Sequence, residues 1–390
     1  MKDSAVPIDD STLPPVAAAS AVMVPPGTQT LDAVGLAEVV EIHDRDEWNG
    51  LVLERPYYEI EQGWEWDEIR RDSGWTPHRY AAVAGGRRVA LASVASRRLP
   101  GLPYSVLDAS HGPLVAPEEA GAWRALLGAI RELAERDRAV FLRVSPGVAA
   151  DDSAPREALA RHGFRALPDE WTTWNPPRIV VALRLDADEE SLRRRCRKSV
   201  RYDLTAARRR GVVVREAKSR ADLVAFHRIL VAMGRQKGYP VRRFSRLEAL
   251  WAAYVVAGQG VLLLAEHEGD LVGGLLGTRF GERAYLQSAG VMRTGERLCH
   301  GPLLYWEFIR WALSAGCAHI DWGGSGTAFP PEPADPGYSL YWFKAGFGSE
   351  LRYCAPYHDL VFRPQLYRLA RALEGWALPR AWRLRAYLNH

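Results

Sequence analysis

Residues 261–290 read VLLLAEHEGDLVGGLLGTRFGERAYLQSAG, and three strands are legible in them. Val261–Glu266, Leu271–Phe280 and Arg283–Ala289 are apolar runs separated by two short glycine turns, Gly269-Asp270 and Gly281-Glu282. Short glycine connections between such runs predict antiparallel hairpins. Downstream, Pro302–Ala315 has helical periodicity, with Gly301 before it and Pro302 at the first helical position, where a missing amide costs little. A short strand ending in Asp321 follows, then a glycine turn. Upstream lie helices at Ser219–Met233 and Arg246–Val256, a strand at Val212–Val214, a helix at Asp188–Arg210 closed by Gly211, and a β-branched strand at Ile179–Leu185. Helices interleaved with an antiparallel meander predict a mixed α/β sheet.

The upstream half repeats this order. It has a strand at Val39–Ile42, helices at Asp44–Leu53 and Glu65–Asp72, a hairpin of Tyr80–Val83 with Arg88–Ala95, a helix at Pro117–Arg136 and a strand at Ala139–Val144. The order resembles that of an acetyltransferase (GNAT) unit. The expected fold is therefore α/β (α+β): tandem GNAT-like domains with mixed central sheets and no coiled-coil arm. The first domain is placed at 37–178 and the second at 179–362, after a mobile tail over 1–36. Residues 363–390 are read as a helical segment packing back on the body. The duplication rests on element order, since no sequence repeat is evident.

A chain of 390 residues, 47% hydrophobic and 25% charged, holds enough apolar material for two cores. The formal charge of +4 is mild, so any contact with a polyanion must be local. Cys196, Cys299, Cys317 and Cys354 lack metal-binding spacing, and we read them as reduced thiols, with no metal. Val16–Val24 has no basic flank and is too short to span a bilayer, so the protein is expected to be soluble and cytoplasmic.

Two stretches carry chemistry. The first, Gly337–Tyr353, reads GYSLYWFKAGFGSELRY. We read period-2 alternation in it, and it sets one ammonium, Lys344, among Tyr341, Trp342, Phe343 and Phe347. Such a lysine either snorkels, with its stem on apolar surface and its head in water, or is buried for a purpose. The second is the helix at Asp188–Arg210, whose apolar stripe Leu192, Cys196, Val200, Leu204 and Ala207 leaves arginine and lysine on the other faces, offset only by Asp203. A solvated face usually mixes its signs, so we read Arg194, Arg197, Lys198, Arg201 and Arg208 as polyanion contacts.

The order DWGG at 321–324, a variable Pro-rich loop, then LYWFKAGFG at 340–348 resembles the carboxy-terminal signature of the Fem-type (FemABX) nonribosomal peptidyl transferases. QGWEWDEIRRDSGW at 62–75, HGPLV at 111–115 and LRVSP at 142–146 resemble first-domain segments of the same family. The resemblance implies an aminoacyltransferase of peptidoglycan biosynthesis. It would use aminoacyl-tRNA as co-substrate, no other cofactor, and the amine of a cell-wall precursor, UDP-MurNAc-pentapeptide or lipid II, as acceptor. It implies Lys344 as the central catalytic group with Phe343 in support, and Tyr285 in an acceptor channel. The basic helix would then contact tRNA. Arg242 or Arg243, and Arg70 or Arg71, are candidates to clamp the precursor's diphosphate, arginine being suited to phosphate by its planar fork. A monomer touching the inner membrane surface peripherally is expected.

His111 and Ser145 depart from the family pattern, standing where an Arg and an Asp are usual. Asp321 is read as a cap on the following glycine turn, and the loop Thr327–Tyr338 as the acceptor determinant. Alternatives remain open: the same chemistry in antibiotic biosynthesis, an acyl-CoA N-acyltransferase, or a non-catalytic RNA or membrane binder. Against acyl-CoA, the expected phosphate cradle reads RLCHGP at 297–302, keeping one glycine and losing a donor to Pro302.

Overall fold

The computed structural model describes residues 37–374, except 169–176, 240, 295–296, 325–328 and 336. The expected tail over 1–36, the end of the terminal segment and part of the loop Thr327–Tyr338 lie outside the described residues.

The first half contributes β1 (Glu38–Glu41), α1 (Arg45–Leu53), α2 (Trp64–Arg70), β2 (Trp75–Ala84), β3 (Arg87–Arg98), β4 (Ser105–Ser110), α3 (Ala120–Arg136), β5 (Ala139–Ser145), α4 (Ser153–Arg161) and β6 (Arg165–Ala166). The second contributes β7 (Ile179–Arg184), α5 (Glu189–Arg195), α6 (Lys198–Arg209), β8 (Val213–Glu216), α7 (Arg220–Lys237), α8 (Phe244–Leu250), β9 (Gly260–His267), β10 (Asp270–Phe280), β11 (Arg283–Val291) and α9 (His300–Ser314). It continues with β12 (His319–Gly324), α10 (Tyr338–Ala345), β13 (Glu350–Tyr353) and β14 (His358–Val361).

The expected meander is present as β9, β10 and β11, paired antiparallel, and β11 runs parallel to β12. In the first half β2, β3 and β4 form the antiparallel meander and β4 runs parallel to β5. The two seven-stranded sheets have the orders β1-β2-β3-β4-β5-β14-β6 and β8-β9-β10-β11-β12-β7-β13. These are the same pattern, except that the first sheet borrows one strand from the second half. β7, which directly follows the first unit, fills the sixth place of the second sheet, while β14, from the far end of the chain, fills that place in the first. The second sheet is built wholly from strands after residue 178, whereas the first is completed by β14 from the far end of the chain.

The halves also share a core. Trp48, Ile60, Leu91 and Leu114 from the first pack in one buried cluster with Phe226, Leu250, Leu276 and Tyr285 from the second. An apolar seam of this kind holds the units as one body rather than leaving them free to move apart. Residues 364–374 are helical, and Leu366, Tyr367 and Ala370 lie against Trp75, Val106 and Phe141. Buried Arg143 ties this end down, pairing with Asp359 at 2.8 Å and Glu374 at 2.5 Å.

Three readings need correction. Gly337–Tyr353 is not an extended run: it is α10 followed by β13. The buried positions of α10, Tyr338, Tyr341, Lys344 and Ala345, recur at helical spacing, which the apparent alternation of its aromatics concealed. The basic helix is two helices, α5 and α6, broken at Cys196-Arg197, where both residues take extended ψ angles. The helix expected to end at Met233 runs on through Lys237, where α7 ends on left-handed Gly238.

Candidate active site

The site grows from the end of β12. Asp321 Oδ1 accepts the amide of Gly323 at 2.5 Å, forming the expected cap on a turn whose Gly323 has φ +71°, a conformation that favours glycine. Three successive carbonyls, those of Trp322, Gly323 and Gly324, then converge on the ammonium of Lys344, which donates to them at 2.7, 3.2 and 2.7 Å. Lys344 is 3% exposed, so it does not snorkel. Burial pulls its pKa down to about 8, against the opposing attraction of Asp321. Nearby in the fold, Tyr305 lies between Trp322, Phe343 and Phe347, with ring centroids 4.8–5.7 Å apart. Phe343 thus belongs to an aromatic cluster built on Tyr305.

The second half of the site crosses the seam. Tyr285 pairs in register with Asp321 on the neighbouring strand, so the two side chains share a face. The Tyr285 hydroxyl donates to Glu59 Oε2 at 2.8 Å, and Arg283 donates to Glu59 Oε1 at 2.5 Å. Beside Glu59, His111 pairs with Glu61 at 3.0 Å. Burial works against charge on His111, but Glu61 outweighs it and lifts the ring to about 9, so it is an imidazolium that donates to the carboxylate. The backbone amide of His111 donates to Ser145 Oγ at 3.1 Å, bringing the two family departures together as one structural contact.

Asp321 lies within electrostatic reach of this group. Burial, with the charges of Glu59 and Glu61, pushes its carboxyl up to about 6. Ligand atoms of Glu59, Glu61 and His111 fall within 4.8 Å of one another, a spacing a metal could use. Both Glu59 oxygens already accept from Arg283 and Tyr285, however, and Glu61 from His111, so the set fits an ion-pair network better than a metal centre.

The other candidates divide. Arg242 is exposed and near enough to Glu61 for the charges to interact, whereas Arg243 is exposed at the start of α8. Arg70 is not an exposed clamp. It is committed to Asp67 at 3.1 Å and Asp108 at 2.8 Å, with its guanidinium over Trp75. Arg71 is exposed and pairs with Glu68.

On the basic pair of helices, Arg194, Lys198 and Arg201 line a shallow depression of about 580 Å³. Arg201 also donates to the carbonyls of Arg194 and Cys196, closing α5. Opposing charge is more plentiful than the sequence suggested: Arg195 pairs with Asp186 and Arg208 with Glu307. Arg197 does different work. It stacks on Trp342 at 3.6 Å and donates to the Trp342 carbonyl at 2.7 Å, while its amide donates to the Gly346 carbonyl at 2.8 Å. It therefore caps the C-terminal end of α10, the helix that carries Lys344.

Sequence reading missed Glu59, Glu61 and Arg283. The first two lie in EIEQ at 59–62, which gives no sign of facing the other half of the chain.

Comparison with known proteins agrees with this architecture. A model of the acetyltransferase (GNAT) domain matches residues 194–330. FemX superposes with a TM-score of 0.77 at 19% identity, covering 85% of this chain and 99% of that one. A tandem GNAT protein from the clavulanic acid biosynthesis pathway gives 0.51 at 16% identity, covering 83% and 98%. The chain is thus a tandem GNAT-fold protein. It is, more particularly, a homologue of lipid II:glycine glycyltransferase of Staphylococcus aureus, 24% identical over 227 residues, which are 56% of this chain and 53% of the relative. The chain spans about half the length of the curated relatives it matches.

Proposed function

We propose that this protein transfers an amino acid from aminoacyl-tRNA to an amine of a peptidoglycan precursor, forming a peptide bond without the ribosome. The observation that carries the reading is Lys344, a buried ammonium with its pKa drawn down to about 8, beside Asp321, whose charged neighbours Glu59, Glu61 and His111 come from the first half. An aminoacyl ester is already activated. It needs a neutral amine held in line with the carbonyl and a cation for the charge that develops on the carbonyl oxygen. Lys344 supplies that cation in a buried site, where its field is little screened.

Its hydrogens are all engaged at rest. Serving an oxyanion requires exchanging one carbonyl, and the bond to Gly323, the longest at 3.2 Å, is the one to give up. The basic depression on α5 and α6 supports a polyanionic donor, and Arg197 links that surface to the lysine helix. The name of the Staphylococcus aureus relative supports a lipid-linked precursor as acceptor. In this reading Tyr285 and Glu59 line the acceptor channel, and Arg242 or Arg243 remains the candidate for its diphosphate.

The experiment is transfer of radiolabel from charged total tRNA to UDP-MurNAc-pentapeptide or lipid II, with and without ribonuclease. A product that ribonuclease abolishes supports the reading. Label passing from acetyl-CoA to an amine, with none from tRNA, would replace it with acyl-CoA chemistry.

A further inference from the structure

We infer that Asp321 is the base that removes a proton from the acceptor's ammonium, an assignment that rests on the aminoacyl-transfer reading above. The first argument is position. Asp321 stands beside the carbonyls that hold Lys344 and opposite Tyr285, on the face turned toward Glu59, Glu61 and His111. A nucleophile approaching an ester whose oxyanion is held by Lys344 would pass this carboxylate.

The second argument is availability. Asp321 uses Oδ1 to accept the Gly323 amide, and among the described residues Oδ2 has no hydrogen-bond partner. The neighbouring carboxylates are each paired with a cation. Glu59 accepts from Arg283 and Tyr285 through its two oxygens, Glu61 is held by His111, and Ser145 carries a hydroxyl that already accepts the His111 amide. A serine hydroxyl at neutral pH is no base, so Ser145 cannot serve.

The third argument is basicity. A general base works best with a pKa near the operating pH, and burial with two neighbouring carboxylates moves Asp321 in that direction. The titratable and charged groups facing it are Glu59, Glu61 and His111 from the first half and Arg283, Tyr285, Lys344 and Cys354 from the second.

The step balances as follows. The acceptor ammonium gives one proton to Asp321, and the freed lone pair forms the N–C bond at the aminoacyl carbonyl. The tetrahedral intermediate then breaks its C–O bond to the ribose, whose oxygen leaves with a second proton from the same nitrogen. Asp321 returns its proton to solvent. The products are an amide, a free ribose hydroxyl and one proton.

The test compares kcat/KM for tRNA-dependent transfer at pH 5 to 8 in the wild type, Asp321→Asn and Asp321→Glu, with thermal unfolding of each. Asparagine keeps the acceptor for the Gly323 amide and removes the base. Asp321→Asn should lose on the order of 100-fold or more at pH 8, and the deficit should narrow toward pH 5, where the wild-type base is protonated. The same variant should melt no lower than wild type at pH 8, because it removes a buried charge. Asp321→Glu should keep the pH dependence at reduced rate, which preserves the test if the asparagine variant does not fold. A deficit that is constant with pH, or wild-type activity in Asp321→Asn, would overturn the assignment alone. A wild-type protein that transfers nothing from tRNA would overturn the proposed function, and this assignment with it.

Discussion

Replacing Lys344 by methionine separates its chemical role from its structural one. The fall of its pKa from 10.5 to about 8 corresponds to about 3 kcal/mol disfavouring the charged form in the folded state, at about 1.4 kcal/mol per unit. Methionine fills similar length without the charge, so that cost disappears. Against it, the carbonyls of Trp322, Gly323 and Gly324 lose their donor. The Trp322 carbonyl is buried, and leaving such a group unsatisfied costs about 1–3 kcal/mol. The two effects nearly offset, and unfolding free energy at pH 7 should change by no more than about 2 kcal/mol. Transfer, by contrast, loses its oxyanion cation and should fall about 100- to 1,000-fold in single-turnover rate.

The pH dependence has a definite sign. Above about 8 the folded protein sheds this proton while the unfolded chain keeps it up to 10.5, so wild-type stability should rise relative to the methionine variant between those values. Melting curves at pH 7 and pH 10, with single-turnover transfer at pH 7.5, provide the assay. A variant destabilised by more than about 4 kcal/mol, or one that transfers within threefold of wild type, would refute the reasoning.

Three further outcomes follow from the packing. Arg197→Ala removes the stacking on Trp342 and the cap on α10 and should raise KM for tRNA while lowering kcat; Arg197→Lys should not restore either, because only the planar fork stacks and donates together. Arg70→Ala leaves Asp67 and Asp108 buried without their shared partner and should cost about 3–5 kcal/mol in denaturant unfolding, with acceptor KM unchanged under folding conditions. Residues 37–178 expressed alone lack β14 and should be recovered as aggregate, whereas co-expression with the remainder of the chain should return soluble complex, read by size-exclusion chromatography.

Much of the fold was legible because its signals are local. The glycine turns at 269–270 and 281–282 fix the meander, and the repeated element order revealed two units. The crossing of β14 into the first sheet was not legible, because its partner β5 lies more than 200 residues earlier and a four-residue strand carries no signal of which sheet it joins. The site was half visible. Lys344 stood out as one charge among aromatic residues, yet its run of rings masked the helical period, and α10 was read as extended. Arg70 could be read as a diphosphate clamp because its partner Asp108 lies 38 residues away in sequence. Glu59 and Glu61 gain their meaning only when Tyr285 and Asp321 arrive from the second half.

The most direct test of aminoacyl transfer is mass spectrometry of the acceptor. Purified protein would be incubated with charged total tRNA and lipid II, then with acetyl-CoA in place of tRNA. The account predicts that the stem peptide gains the mass of one amino-acid residue on an amine, only with intact charged tRNA, and that Lys344→Met abolishes the gain. An acetyl adduct from acetyl-CoA, with no amino-acid adduct from tRNA, would contradict it.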